Sequence, residues 1–255
     1  MSEEFIYYSG ITETSGIPAF FIMFGIAMIA IVIFLLGMYL NMKKWGGGSA
    51  SYFLKIFLKS INHEKLGHHK RQSILVTIIL DIFLQRRILR RSPFRWVMHM
   101  LIFIGWGGMF ILSMLFAIFE VLHVIGMESI DLVVIRDSLD FGNEVLGYML
   151  LIGLIIAIVR RLAISDVSKR TQVFDWVLVL GTLIITITGF MAEGFRPDPI
   201  VGAWDFLGDN AAFAQTFALF HVAISLLFCI AYIPYSKYMH MLAAPMVILV
   251  NGGGE

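Results

Sequence analysis

The chain has 255 residues, 59% hydrophobic and only 15% charged, with a formal net charge of +1. With a mean hydropathy of +0.85, a water-soluble domain of this size would expose too much apolar surface, so the composition marks an integral membrane protein. A single cysteine, Cys229, excludes an internal disulfide framework and any cysteine-ligated iron–sulfur cluster held by this chain alone.

The first sixteen residues, MSEEFIYYSGITETSG, carry no basic region and no small-residue cleavage site, so no cleaved signal peptide is expected. A bilayer core of about 30 Å needs roughly 20 apolar residues in a helix. The first such stretch runs from Ile17 to Leu40. A long connection follows, 41–95. Within it, SYFLKIFLKSI places Tyr52, Phe53, Ile56 and Phe57 on one helical face, with Lys55 and Lys59 elsewhere. SILVTIILDIFLQRRILRR is apolar but short and carries Asp81. Both segments are predicted as helices lying at the cytoplasmic interface, or alternatively as a docking surface for a cytoplasmic partner. Between them, NHEKLGHHKRQ holds His63, His68 and His69. Without cysteines or a fixed helical spacing, a solvated or partner-facing loop is expected there rather than a metal site.

The second span is Trp96 to about Leu122. A weaker one, 143–159, stops at Arg160-Arg161; its clean apolar part is short, which assigns Asn143 and Glu144 to an interface. Two comfortable spans complete the set, Trp176 to Phe195 and Phe213 to Tyr232. The expectation is an all-α integral membrane bundle of five transmembrane helices, a single membrane domain over 1–255.

Orientation follows from the basic residues. Twelve of the nineteen Lys and Arg lie between residues 41 and 95, four in the loop 160–172, and Lys237 follows the last span. The opposite face carries only Arg136 and Arg196, together with thirteen of the eighteen acidic residues. Seventeen basic residues against two place the N-terminus outside and the C-terminus in the cytoplasm of a multi-pass cell-membrane protein. Nothing in the chain points to nucleic acid.

Polar side chains in hydrocarbon need a partner, which makes the remaining histidines informative. His99 enters the second span just past Arg95 and Trp96, and His240 follows the last span beyond Lys237, on the same side. Two imidazoles from different helices at one depth can clamp a haem iron, although each can also be an interior histidine bonded to a carbonyl. His221 lies one or two turns into the last span from the outer side, and Pro234 interrupts the helix between His221 and His240. For His123, near Glu120 at the outer end of the second span, the bonded-histidine account is preferred.

These residues resemble a known family. FRWVMHMLIFIGWGGMF, IVRRL, FDWVLVLGTLIITITGF and above all FHVAISLLFCIAYIPYSKYMHMLAAP are similar to the five-helix cytochrome b subunits typified by the gamma subunit of respiratory nitrate reductase. With QRRILRRSPFRWVMH included, the pattern, over roughly residues 86–246, looks closest to the membrane cytochrome b subunits of methanogen heterodisulfide reductase. Sulfite-reduction complexes are a near alternative.

The resemblance implies two stacked b haems, the cytoplasmic-side one on His99 and His240. The outer haem would take His221 and a residue ten positions beyond His99, which here is Met109 in place of the family's histidine. That departure leaves a His–Met haem, a five-coordinate haem on His221, or no outer haem, with a weakly ligated or five-coordinate one favoured. The implied activity is transmembrane electron transfer from methanophenazine or a quinol to a cytoplasmic iron–sulfur subunit that reduces the heterodisulfide of coenzymes M and B. This chain would serve as conduit and anchor among membrane lipid. Glu193, Arg196, Glu120 and His123, at outer helix ends, are candidates for contact with the carrier, although an interfacial charge pair accounts for Glu193 and Arg196 equally well. Two rivals remain: a transporter, for which no inverted repeat is visible, and a haem-free membrane anchor.

Overall fold

The computed structural model describes residues 19–62, 65–66, 69–70, 72–126, 131–195 and 211–251. Apart from a two-residue antiparallel pairing of Lys65–Leu66 with His69–Lys70, regular structure among these residues is helical. Four helices are long and apolar enough to cross a membrane: α1 (Ala19–Trp45), α5 (Pro93–Val124), α6 (Leu132–Ala163) and α8 (Val173–Gly194). The rest are α2 (Ala50–Asn62), α3 (Ile74–Val76, continuing as a π-helix over Thr77–Phe83), α4 (Arg86–Arg91), α7 (Ser165–Arg170), α9 (Ala211–Leu226) and α10 (His240–Asn251).

Two of the expected spans change character. The weak one, 143–159, is part of a 32-residue helix that begins at Leu132. Its opening turns carry Arg136, Asp137 and Asp140, which lower the hydropathy of a window without stopping a helix whose ends reach water. The comfortable one, 213–232, is interrupted early. α9 gives way at Leu227 to a π-helix, Leu227–Ala231, and then to a 3₁₀ turn, Ile233–Tyr235. Pro234 removes one ladder donor there, and Tyr232 N–H reaches back five residues to Leu227 O at 3.0 Å. Together the α and π stretches run continuously over Ala211–Ala231.

The chain forms two compact units, Met1–Met28 with Met98–Leu226, and Ile29–Val97 with Leu227–Glu255. In the first, α5 and α6 meet through small residues, as membrane helices do where no apolar driving force separates lipid from protein. A Cβ on Gly105 would stand 2.7 Å from Leu150 N, and one on Gly153 2.8 Å from Ile102 Cγ1. The buried face of α6 runs through Glu144, Gly147, Leu150, Leu154 and Ala157, a stripe at helical spacing. Glu144 is only 4% exposed. Instead of meeting water at an interface, as its charge suggests, it belongs to this buried face. α8 packs between α6 and α9, with Phe190 tilted on Tyr148 at 5.0 Å between ring centroids. Its start is fixed by a capping box, in which Gln172 N–H donates to Asp175 Oδ2 at 2.9 Å.

In the second unit the two short apolar segments are helical, as the periodicity predicts. On α2, Phe53 and Phe57 stack and Trp45 tilts onto Phe53. Tyr52, Leu54, Ile56 and Leu58 stay exposed. Asp81, which argues against a span, is 2% exposed and is gripped by Arg86, Nε to Oδ1 at 2.6 Å and Nη2 to Oδ2 at 3.1 Å. A second Nη2 contact of 2.6 Å, to Gln72 Oε1, orients the guanidinium. The broken segment after α9 is clamped by α1. Asn41 Nδ2 donates to Gly37 O at 3.1 Å and to Pro234 O at 2.8 Å, and Tyr235 OH donates to Ile33 O at 3.2 Å. Gly37 leaves no room for a side chain, since its Cβ would meet Pro234 Cβ at 2.6 Å.

Candidate functional site

α8 is apolar enough to span a membrane but carries three threonines. Thr182 and Thr186 are buried and return their hydroxyl protons to Leu178 O and Thr182 O, at 2.7 and 2.8 Å. That back-bonding satisfies a hydroxyl that hydrocarbon would otherwise leave unpaired. Thr188 does the same toward Ile185 O at 2.9 Å, and its Oγ1 also lies 3.0 Å from Nδ1 of His221 on α9.

The roles in this chain can be assigned. A hydroxyl has one proton. Where that proton goes to Ile185 O, Oγ1 accepts from His221 Nδ1–H, and that tautomer leaves the lone pair on Nε2, the arrangement in which a protein holds a metal-binding histidine by its other nitrogen. Beside Thr188, Gly189 lies against the ring: a Cβ there would stand 3.1 Å from His221 Cε1 and 3.4 Å from Nε2. A threonine that fixes the tautomer and a glycine that makes room thus come from adjacent positions of one helix.

His240 reaches the same state by a different route. It is the first residue of α10, exposed rather than interior, and its Nδ1 bonds the Lys237 carbonyl of the turn before it. A carbonyl only accepts, so Nδ1 carries a proton and Nε2 is the nitrogen that faces away from the turn's bond. The turn is set by Ser236, whose Oγ accepts from Tyr238 N–H at 3.1 Å.

His99 and Met109 share α5, both half-buried, ten residues or about 15 Å apart along an ideal helix. Among the outer candidates, Glu120 is buried at 2% exposure, while His123 and Glu193 are half-buried. Arg196 lies outside the described residues, as do His63 and His68. Among the described residues no three His, Cys, Asp or Glu side chains converge as a metal site would require. Thr188, Gly189 and the buried position of Glu144 are absent from the sequence-based expectations. Their signal, polar or small residues inside apolar spans, is visible in TITGF and GNEVLG only once the facing helix is known.

Comparison with known proteins is consistent along the whole chain. A family profile described as the E subunit of dihydromethanophenazine:CoB–CoM heterodisulfide reductase matches residues 75–248. Proteins of that name from Methanosarcina thermophila and Methanosarcina barkeri are 46% and 45% identical, each alignment covering 100% of both chains. The Methanosarcina mazei protein is 45% identical over 98% of this chain and 99% of its own. No solved structure matches significantly.

Proposed function

The chain belongs to the family of dihydromethanophenazine:CoB–CoM heterodisulfide reductase E subunits, and from that premise we propose that it carries electrons across the membrane, from reduced methanophenazine or a quinol to a cytoplasmic iron–sulfur subunit that reduces the CoM–CoB heterodisulfide. It is an electron-transfer subunit of an oxidoreductase complex. With one cysteine it holds no cluster and reduces no disulfide by itself. The observation that carries the reading is identity of 46% over the full length of both chains.

The residues fit b-type haem, which supplies one-electron redox chemistry when bound. His99 and His240 would hold the haem on the cytoplasmic side, and His221 the outer one. Met109 would either complete the outer haem's coordination or leave it five-coordinate. The support from this chain is chemical. His240 and His221 each have Nδ1 beside an oxygen, which leaves Nε2 as the nitrogen to meet an iron, and Gly189 provides clearance beside His221. Five membrane crossings, N-terminus outside and C-terminus cytoplasmic, bring the basic connection 41–95 to the side where the catalytic subunit docks. The broken α9 segment supplies the fifth crossing. In this arrangement α2 and α3 lie along the inner interface with their exposed apolar residues in lipid. Glu193, Arg196, Glu120 and His123 stay the candidates for contact with the carrier.

Haem b per polypeptide in the purified chain tests this directly. Two haems support both sites, and one supports the inner pair alone. A folded protein without haem, expressed with haem supplied, refutes the cytochrome reading and leaves a membrane anchor.

A further inference from the structure

Glu144 puts a carboxyl group where the rest of its helix face is apolar. It continues the stripe whose later members, Leu150, Leu154 and Ala157, are 1%, 2% and 1% exposed. Both carboxyl oxygens are buried without a hydrogen-bond partner among the described residues. A polar group in that condition is costly and in a membrane helix marks a function by default. Glu144 lies sixteen residues before Arg160, about 24 Å along an ideal helix. One turn away, Gly147 receives the Phe190 ring, whose nearest atom would stand 3.0 Å from a Cβ there. Phe190 follows Gly189, on which the His221 ring rests. Glu144 precedes Gly147 by three residues, roughly 4.5 Å of rise along α6, and in the proposed orientation this displacement is outward from the helix contact that adjoins His221's cradle.

We propose that Glu144 is the residue that binds the reduced membrane carrier at the outer site and takes its protons. The proposal rests on the electron-transfer reading above. The ligand class is a reduced aromatic carrier bearing an N–H or O–H donor, which supplies the hydrogen bond that the carboxylate lacks. In the step, the carrier's N–H or O–H bond breaks, its proton forms a new O–H bond with a Glu144 oxygen, and the bonding electrons stay on the carrier. Those electrons leave as the pair that the complex delivers to the heterodisulfide. Glu144 then releases the proton outward and takes the second by the same route. The carrier is oxidised, the heterodisulfide is the oxidant overall, and Glu144 is unchanged. A proton acceptor placed in reach of its donor contributes a factor of about 100 or more.

The test uses the intact membrane complex with Glu144→Gln and Glu144→Asp. Dihydrophenazine and a short-chain quinol are the carriers, and stopped-flow haem reduction is the readout. The expected result is a roughly 100-fold slower reduction by the carrier in E144Q, with haem content and the dithionite-reduced spectrum unaltered. E144D should retain an intermediate rate. Whichever carrier drives the wild type faster identifies the donor. An E144Q complex as fast as wild type would overturn the proposal, as would equal slowing with dithionite. Should E144Q fail to assemble, infrared difference spectra of wild type and E144D decide. A protonated-carboxyl band on adding dihydrophenazine, shifted in E144D, supports the proposal; no band, or one unmoved by the substitution, sinks it. Dithionite-reducible haem in the wild type tests the parent reading separately, so the two fail by different readouts.

Discussion

His221 and His240 arrive at one chemical state by opposite means. His221 is held by a neighbouring helix, through Thr188 Oγ1 on Nδ1 and Gly189 beneath the ring. His240 is held by its own turn, through the carbonyl of Lys237 three residues earlier. The first arrangement exists only when α8 and α9 are packed. The second is written into a short stretch of backbone and survives whatever happens to distant helices. A site built by packing is sensitive to substitutions on the facing helix, and a site built by a turn is sensitive to the turn alone.

The sharpest way to break this comparison is to remove the ligands. His221→Ala should abolish the outer haem and spare the inner low-spin signal, and His240→Ala or His99→Ala should do the reverse, read by electron paramagnetic resonance and haem content. If both H99A and H240A kept a wild-type spectrum, the ligand assignment would fall. Next in size, Gly189→Val should lower outer-haem occupancy by at least tenfold, because even the first carbon of a side chain meets the ring at 3.1 Å. The inner signal should stay as it is. Thr188→Val keeps the shape but removes the acceptor, and loss of such a supporting bond weakens metal-site affinity by about 10- to 100-fold. The outer haem should become labile in detergent and its midpoint potential should shift, with Thr188→Ser restoring both.

Two milder substitutions probe the other arrangement. Gly37→Ala forces a carbon to within 2.6 Å of Pro234 and should destabilise the broken segment by about 1–3 kcal/mol, seen as a lower melting temperature. Asn41→Ala removes the bond to Pro234 O and should cost about 1 kcal/mol. Neither should move the outer haem's spectrum, since the groups that hold His221 lie on α8.

Much of this is legible in the sequence because membrane helices announce themselves by composition. α1, α5 and α8 follow from hydropathy and length, and the helix α2 from the 3.6-residue period of SYFLKIFLKSI. What escapes does so for physical reasons. A hydropathy window penalises Arg136, Asp137 and Asp140, although charges at a helix end that reaches water do not terminate it, so hydropathy alone leaves α6 fifteen residues short in all. Pro234 announces a break, but not that the backbone leaves the α-helix seven residues earlier at Leu227. Within TITGF nothing distinguishes Thr186, bonded only to its own helix, from Thr188, bonded across to His221. Which face meets which neighbour is a tertiary fact, and single-chain periodicity does not carry it. The same blindness sends Glu144 to an interface.

The ion pair between Asp81 and Arg86 sets a schedule for biogenesis. A chain leaving the ribosome presents the apolar residues 74–83 with an acid among them, and the arginine that grips that acid in the fold, Arg86, is added five residues later. At about 5–20 residues per second, that interval is roughly a quarter of a second to one second. Through it, an unpaired Asp81 would disfavour entry of the segment into lipid; once Arg86 closes on it, the pair would be neutral as a whole. A substitution at either position therefore acts first on how the nascent chain is threaded, before any finished protein exists to be destabilised.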